Sequence, residues 1–464
     1  MNKIHSIIAA VIALTSLLTA IHASAQYTAS GYYADGYLYR HEMNPAIGND
    51  QNYVAMPGIS NVIIGTRGDL GLGKVLFNRN GKTTTFLNPD VETTEFMSGI
   101  KSKNRLTTDV KLQVLGFGFK GFKGYNHVSI NSRADVGVVI PGTLFSLAKE
   151  GVENKTYDIT NVQAHANAFA EISFGHSHRI NSHLDIGATV KFLVGAGHAD
   201  AEFEKAQLTL EGDQWSAVTN GQLQASVKGL YYKEETTMRG PEGAQTPHTY
   251  VSGIDIDKSG ISGFGAAVDL GAVYRLNDSW TLSAALLDLG FIKWNNNVVA
   301  STNGERTFTT DAYLFSIDKE ADNKFEREMD RMGEGLAALY ELDNNGDMGQ
   351  RTTKLASTVN LGAEYTLPSY RNLSFGLLGT SRFNGDLSWM DIRLSANWKI
   401  KKVLSLGVNV SAGTFGTGLG WIFNFHPTGF NFFLASDYTL GKYAKQGAPL
   451  SSNSHMNLGI NFPF

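Results

Sequence analysis

The stretch Ser454-His455-Met456-Asn457-Leu458-Gly459-Ile460-Asn461-Phe462-Pro463-Phe464 decides the reading of this chain. Met456, Leu458, Ile460, Phe462 and Phe464 share one parity, while Asn457, Gly459, Asn461 and Pro463 share the other. A period of two makes this a strand with one apolar face and one small or polar face. A soluble sheet could use that alternation, but it would rarely finish on an exposed Phe. An outer-membrane barrel offers lipid to the apolar face and an aqueous lumen to the polar one. The strand is therefore expected to close such a barrel, with Phe462 and Phe464 as its assembly signal. Pro463 lacks an N–H for the ladder, so pairing should end there.

Composition agrees. Of 464 residues, 50 are Gly and 26 are Phe, none is Cys, and 18% are charged. Soluble domains carry roughly 25% charged residues. Mean hydropathy is only −0.15, far below that of a helical membrane protein, because a barrel hides its apolar surface by alternation. A net charge of −4 points away from nucleic acid. The lack of cysteine fits an exported chain.

Residues 1–25 read as a secretory leader. Lys3 supplies a basic start, Ile7 to Ile21 an apolar core, and Ala23-Ser24-Ala25 a small-residue cleavage site, with cleavage expected before Gln26. Beyond it no apolar run approaches the length of a transmembrane helix. Residues 57–464 are expected to form the barrel of a Gram-negative-type outer membrane.

Between them, residues 26–56 are aromatic and aperiodic: Tyr27, Tyr32, Tyr33, Tyr37 and Tyr39, then Asn44-Pro45-Ala46. With Met56-Pro57-Gly58-Ile59 following, this segment resembles an uncharacterised family of barrels within the long-chain fatty-acid transporter (FadL-like) superfamily. The resemblance covers nearly the whole mature chain. It implies that residues 26–56 fold into the lumen as a plug bearing Asn44, Pro45 and Ala46. The other reading is an arm lying in the periplasm.

Alternation continues along the chain. Strands are expected at 59–77, 108–121, 126–140, 161–178, 183–197, 261–276, 280–293, 354–367, 372–383, 388–400, 403–413, 415–426, 429–440 and 453–464. That makes about 14, an even number, as an all-β antiparallel transmembrane barrel with both termini on one side requires. Tight connections near 123, 181, 278, 370, 401 and 427 alternate with long ones, which suits short periplasmic turns and long external loops. Within 198–260, alternation near 205–211 and 222–232 suggests a hairpin beyond the membrane. Leu336, Leu339 and Leu342 have helical spacing.

Charges of both signs fall on the inward parity. Arg133, Asp135, Asp185, Lys191, Asp269, Arg275 and Arg393 are the main ones, with Glu171, Glu364, Asp391 and Lys399. They suit a lumen network or contacts to the plug. Asp343, Asn345 and Asp347 have the spacing that opens a calcium loop, but Met348 and Lys354 occupy positions that need Gly and Glu, so a polar turn is expected. His176 and His178 share the lipid-facing parity and suit an interfacial belt, so no metal is expected. No nucleophile elbow appears and no catalytic residue is assigned. No cofactor is expected.

The expected function is binding or passage of a small hydrophobic molecule across the outer membrane. The alternatives are an accessory barrel in surface assembly or protein secretion and, less favoured by the residues, an outer-membrane lipid hydrolase. Expected partners are outer-membrane lipid, the barrel assembly machinery and a hydrophobic ligand. Deleting Phe462 to Phe464 should abolish assembly, seen as periplasmic aggregates without heat-modifiable migration on gels; normal amounts of heat-modifiable barrel would refute the signal.

Overall fold

A backbone inside hydrocarbon has no water to bond, so a sheet that crosses a bilayer must close on itself. The computed structural model describes residues 27–150, 155–211, 214–239, 245–309, 339, 341–439 and 451–464. The expected leader at 1–25 and the charged part of the helical stretch at 318–338 lie outside them. Fourteen wall strands form a closed antiparallel barrel. They are β1 (Val62–Gly68), β2 (Lys103–Gly121), β3 (Gly124–Pro141), β4 (Val162–Arg179), β5 (Leu184–Glu211), β6 (Gly263–Arg275) and β7 (Trp280–Trp294). Then follow β8 (Ser357–Thr366), β9 (Leu373–Phe383), β10 (Trp389–Lys401), β11 (Leu404–Gly413), β12 (Gly416–Phe425), β13 (Asn431–Ser436) and β14 (Ser454–Pro463). The seam closes where β14 pairs with β1, Leu458 opposite Val62.

Alternation sets the faces. Along β14, His455, Asn457, Asn461 and Gly459 are buried, whereas Met456 and Phe462 are exposed to the bilayer side. No helix among the described residues is long and apolar enough to cross a membrane, and the exposed large side chains, such as Phe192, Phe264, Leu361 and Ile392, lie on strands.

The first wall strand is not the continuous 59–77 run that alternation suggested. Tyr53–Ala55 pairs with Asn461 to Pro463 of β14, and β1 resumes only at Val62. After β1 the chain leaves the wall through a short helix, Leu72–Val75, and a small hairpin of Leu76–Arg79 with Lys82–Thr85. The reason is local: Pro57 and Gly58 break the ladder, and Gly71-Leu72-Gly73 ends it.

About ten residues of strand cross a bilayer, yet β5 has 28. Its outer half continues past the membrane and pairs with Gln214–Ser226, which pairs in turn with Val298–Thr309. The expected alternation at 222–232 in fact spans two strands, because Leu230–Arg239 starts a separate hairpin with Thr246–Ile256. Asp343–Asp347 is not a polar turn but a strand added to Val298–Ser301.

The long excursions all lie at the end away from Phe464, where only 384–388 and 414–415 are short, and every connection at the Phe464 end is tight. A cysteine at Asn220 should therefore react with an impermeant reagent on intact cells while one at Asn181 should stay silent; the reverse would invert the barrel.

Candidate functional site

The interior of the barrel is occupied by residues 27–50. Tyr32, Tyr37, Tyr39 and Tyr53 are fully buried there and pack with Leu378, Ile422, Phe433 and Ala435 of the wall. Tyr37 meets the Phe433 ring edge-on at 5.0 Å, an arrangement that aromatic quadrupoles favour. Polar tips find partners: Tyr39 Oη stands 2.6 Å from both Gln113 Oε1 and Asn461 Oδ1, and Asn457 Nδ2 donates to Tyr37 Oη at 2.9 Å.

Asn44-Pro45-Ala46 lies against β5, β6 and β7. Asn44 Oδ1 accepts from Ala46 N at 3.0 Å, a local turn that an Asn before Pro favours. Its Nδ2 donates to the Ala272 and Ala284 carbonyls. The wall makes room with two glycines: a Cβ at Gly187 would sit 2.2 Å from the Pro45 carbonyl oxygen, and one at Gly271 would sit 2.1 Å from Asn44 Oδ1.

The inward charges form three groups and three separate pairs. In the first, Arg133 and Lys191 are shared by Glu171, Asp269 and Asp288, all buried. Lys191 Nζ lies 2.7 Å from Asp269 and 2.6 Å from Asp288, and Arg133 lies 2.5 Å from Glu171 and 3.1 Å from Asp288. Tyr27 Oη donates to Asp288 at 2.8 Å, tying the N-terminal segment to the group.

The second surrounds Asp437. Its carboxylate accepts the Ala29 and Ser30 backbone N–H at 3.0 and 2.7 Å and the Ser30 hydroxyl at 2.6 Å. Arg67 and Arg393 each stand 3.9 Å away. The third joins Asp185 to Arg179 and Arg275 near the tight turns at the Phe464 end. Asp135 belongs to none of these; it lies 2.8 Å from His165 toward the outer mouth. Two further pairs hold the segment: Lys111 with Glu42 at 2.7 Å and Lys399 with Asp35 at 2.8 Å.

Alternation could not have found Asp288. It sits at φ +59° in a bulge where Val268 pairs with Leu289 but Leu270 with Leu286. A bulge adds a residue and reverses the parity beyond it, so Leu287 and Asp288 are both buried. Asp437 was legible but not singled out: it falls within the expected strand 429–440 on the parity of the buried Asn431, Phe433 and Ala435, and lies just past the end of β13.

Glu42 also marks the wall's interruption. Residues 56–61 replace regular ladder opposite Gly459 and Ile460. Inside, Asn61 Nδ2 donates to Glu42 at 3.1 Å and Ser60 Oγ to Gln113 Oε1 at 3.0 Å. Outside, Val54, Met56, Ile59, Leu115 and Phe117 are exposed together.

Above the segment a polar vestibule of about 420 Å³ opens outward, lined by Gln163, His165, His198, Asp200, Glu202 and Arg351 among others. Burial would raise the Asp200 carboxyl, but hydrogen bonding to His198 and the nearby Arg351 guanidinium hold it below its ordinary value. Beside the mouth, residues 70–100 and the helix Gly142–Glu150 form an apolar lobe, with Phe86 and Phe96 stacked at 4.3 Å against Phe145.

A family model described as "Family of unknown function (DUF5723)" matches residues 45–437. No curated protein matches the chain. Among solved structures, a TodX monoaromatic hydrocarbon channel mutant is 11% identical, with 96% of this chain and 98% of that one covered and a TM-score of 0.45. The Ralstonia pickettii toluene transporter TbuX is 10% identical over 96% and 97%, TM-score 0.43. A Pseudomonas aeruginosa FadL homologue is 11% identical over 95% and 98%, TM-score 0.36. Likeness at these scores transfers neither substrate nor site residues.

Replacing Lys191 by Met strips three buried carboxylates of a shared cation. Breaking a buried pair costs roughly 3–5 kcal/mol, so the unfolding temperature read by heat-modifiability should fall, and adding Asp269→Asn should recover part of the loss.

Proposed function

The chain belongs to the family of unknown function DUF5723, and we propose that it binds a small hydrophobic molecule and passes it through the outer membrane. Residues 27–50 act as the plug of the lumen. The observation that carries this reading is the interruption of the wall at 56–61, whose outer side is apolar and whose inner side grips Glu42.

The route follows from solvation. Charges and amides fill the barrel axis, and the vestibule is polar, so an apolar molecule would gain nothing there. At 56–61 the backbone bonds are few, with Gly58 N donating to the Gln113 carbonyl and Ile460 N to the Ile59 carbonyl. An opening at that point leads from the interior to Met56, Ile59 and the lipid, where an apolar molecule is stable. The apolar lobe around Phe86, Phe96 and Phe145 supports capture at the external side.

Two deletions test this. Residues 56–61 oppose two residues of β14, Gly459 and Ile460, so removing Pro57 to Ser60 would leave a continuous ladder. That variant should still assemble but admit an apolar fluorescent probe into proteoliposomes at least about tenfold more slowly, an effect near 1.4 kcal/mol. Removing residues 27–48 should give larger steady single-channel currents in planar bilayers. Unchanged probe entry in the first and unchanged conductance in the second would together overturn the reading.

A further inference from the structure

The outer face of the barrel carries cations at the edge of its apolar band, away from the wall interruption; one of them, Lys354, also borders the vestibule. Along β7 the outward positions read Leu282, Ala284, Leu289, Phe291, Lys293 and Asn295, with the bulge at Asp288 accounting for the change of parity. The apolar band thus ends at Phe291 and gives way to a lysine. On the neighbouring strand Phe264 stands opposite Lys293, and on the other side Lys354 stands opposite Phe291. Phe264 and Phe291 are exposed, as an aromatic belt at the membrane surface would be.

Directly above this edge hangs the hairpin of Leu230–Arg239 and Thr246–Ile256. It lies outside the barrel. Tyr232 is buried against Val298 and Ala300, with Leu223 beside them, and its hydroxyl donates to the Leu223 carbonyl. Gln222 and Gln224, of the opposite parity on that strand, line the vestibule instead. Between the root of the hairpin and the wall is a cleft of about 410 Å³, lined by Lys228, Tyr231, Ile261, Asn295 and Asn296 among others. Lys228 reaches toward Gly260, next to Lys258 in the chain turn that enters β6.

Lys228, Lys258, Lys293 and Lys354 are exposed, and none forms an ion pair among the described residues. Two carboxylates are near. Asp347 is held by the Asn297 and Gly349 backbone N–H, and Asp257 lies beside Gly229. The balance remains cationic. The flanking strands do not share it: their outward positions near the band's outer edge are Ala196 on β5, Phe383 on β9 and Met390 on β10.

We propose that this cleft and the wall edge beneath it bind the phosphorylated headgroup of an outer-leaflet lipid, with Lys228 from the cleft and Lys293 and Lys354 from the wall edge on the phosphate and its acyl chains along Phe264 and Phe291. The charge is complementary, and the two chemistries are stacked in the order a lipid presents them. Lysines at the ends of an apolar band extend their ammonium groups into the headgroup layer. Each cation near an anionic lipid surface adds about 1 kcal/mol. Asn295 and the second amide N–H of Asn296, whose first donates to the Val227 carbonyl, provide further donors for a sugar–phosphate head. The site lies away from the plug and the wall interruption, so its failure would leave the proposed transport untouched.

The test uses the full barrel extracted in mild detergent and examined by native mass spectrometry. The wild-type protein should retain phosphorylated lipid A through washing, and a Lys228→Gln, Lys293→Gln, Lys354→Gln variant should bind it about a hundredfold more weakly. Arginine at the same three positions should restore binding, which separates charge from a folding defect. Dephosphorylated lipid A should be lost as readily as from the glutamine variant, and inorganic phosphate should not displace the intact lipid. Equal retention by the glutamine variant, or of the dephosphorylated lipid, would overturn the site. So would displacement by inorganic phosphate, which would make the cleft a simple anion site.

Discussion

Everything in this molecule answers to the closure of the sheet. Hydrocarbon satisfies no backbone N–H or C=O, so each wall strand must be bonded on both sides. The last strand meets the first to complete the cylinder, with Leu458 opposite Val62. That seam is also where the ladder is poorest. Between Ala55 and Val62 the chain leaves the regular pattern, and side chains take over part of the bonding. Ser60, Asn61, Gln113 and Asn461 are all fully buried there. The weakest part of the wall is held from inside, by residues of the N-terminal segment.

This arrangement explains why the segment is rich in tyrosine rather than phenylalanine. A lumen wall built from Asn397, Asn409, Asn424, Asn431, Asn457 and Asn461 offers amide groups at each inward step. Burying plain hydrocarbon against them would strand those groups. A tyrosine brings the ring for packing and a hydroxyl for the amide. Tyr37 and Tyr39 do both, touching Phe433 with their rings and Asn457 or Asn461 with their hydroxyls.

How much of this was legible depended on whether a feature respects the period of two. The barrel, its 14 wall strands and the inward set of Arg133, Lys191, Asp269 and Arg393 are direct consequences of alternation, and most strand ends fall within a few residues of the expected ones. What alternation could not reveal is where those charges meet, since Arg133 and Asp288 are 155 positions apart. Bulges hide residues outright, as at Asp288. Asp437, by contrast, keeps the inward parity of Asn431, Phe433 and Ala435 although β13 ends at Ser436. The outer half of β5 was foreseen only at 205–211, and its continuity with the wall strand at 183–197 was not, because its polar face and polar back look like a loop once lipid no longer selects one side. Residues 27–50 have no period, so their aromatic content argued for burial without saying against what.

The anchors of the N-terminal segment differ in what their loss would do. Asp437 holds Ala29 and Ser30 through backbone N–H groups, and Asp288 holds Tyr27. Both sit among two cations each, in a dry interior where charge pairs hold fixed geometry and a displaced group has nowhere to bond. They fix the start of the segment. Glu42 is different, because its partners Lys111 and Asn61 stand at the wall interruption itself. Moving Glu42 releases Asn61, and Asn61 is the residue whose carbonyl takes the Gln113 N–H that resumes the ladder. On the proposed route, displacement of the segment at Glu42 and loosening of the wall at 56–61 would be one event, while the Asp288 and Asp437 ends stay in place. A segment pinned at its start and released at its middle can open a side path without leaving the barrel.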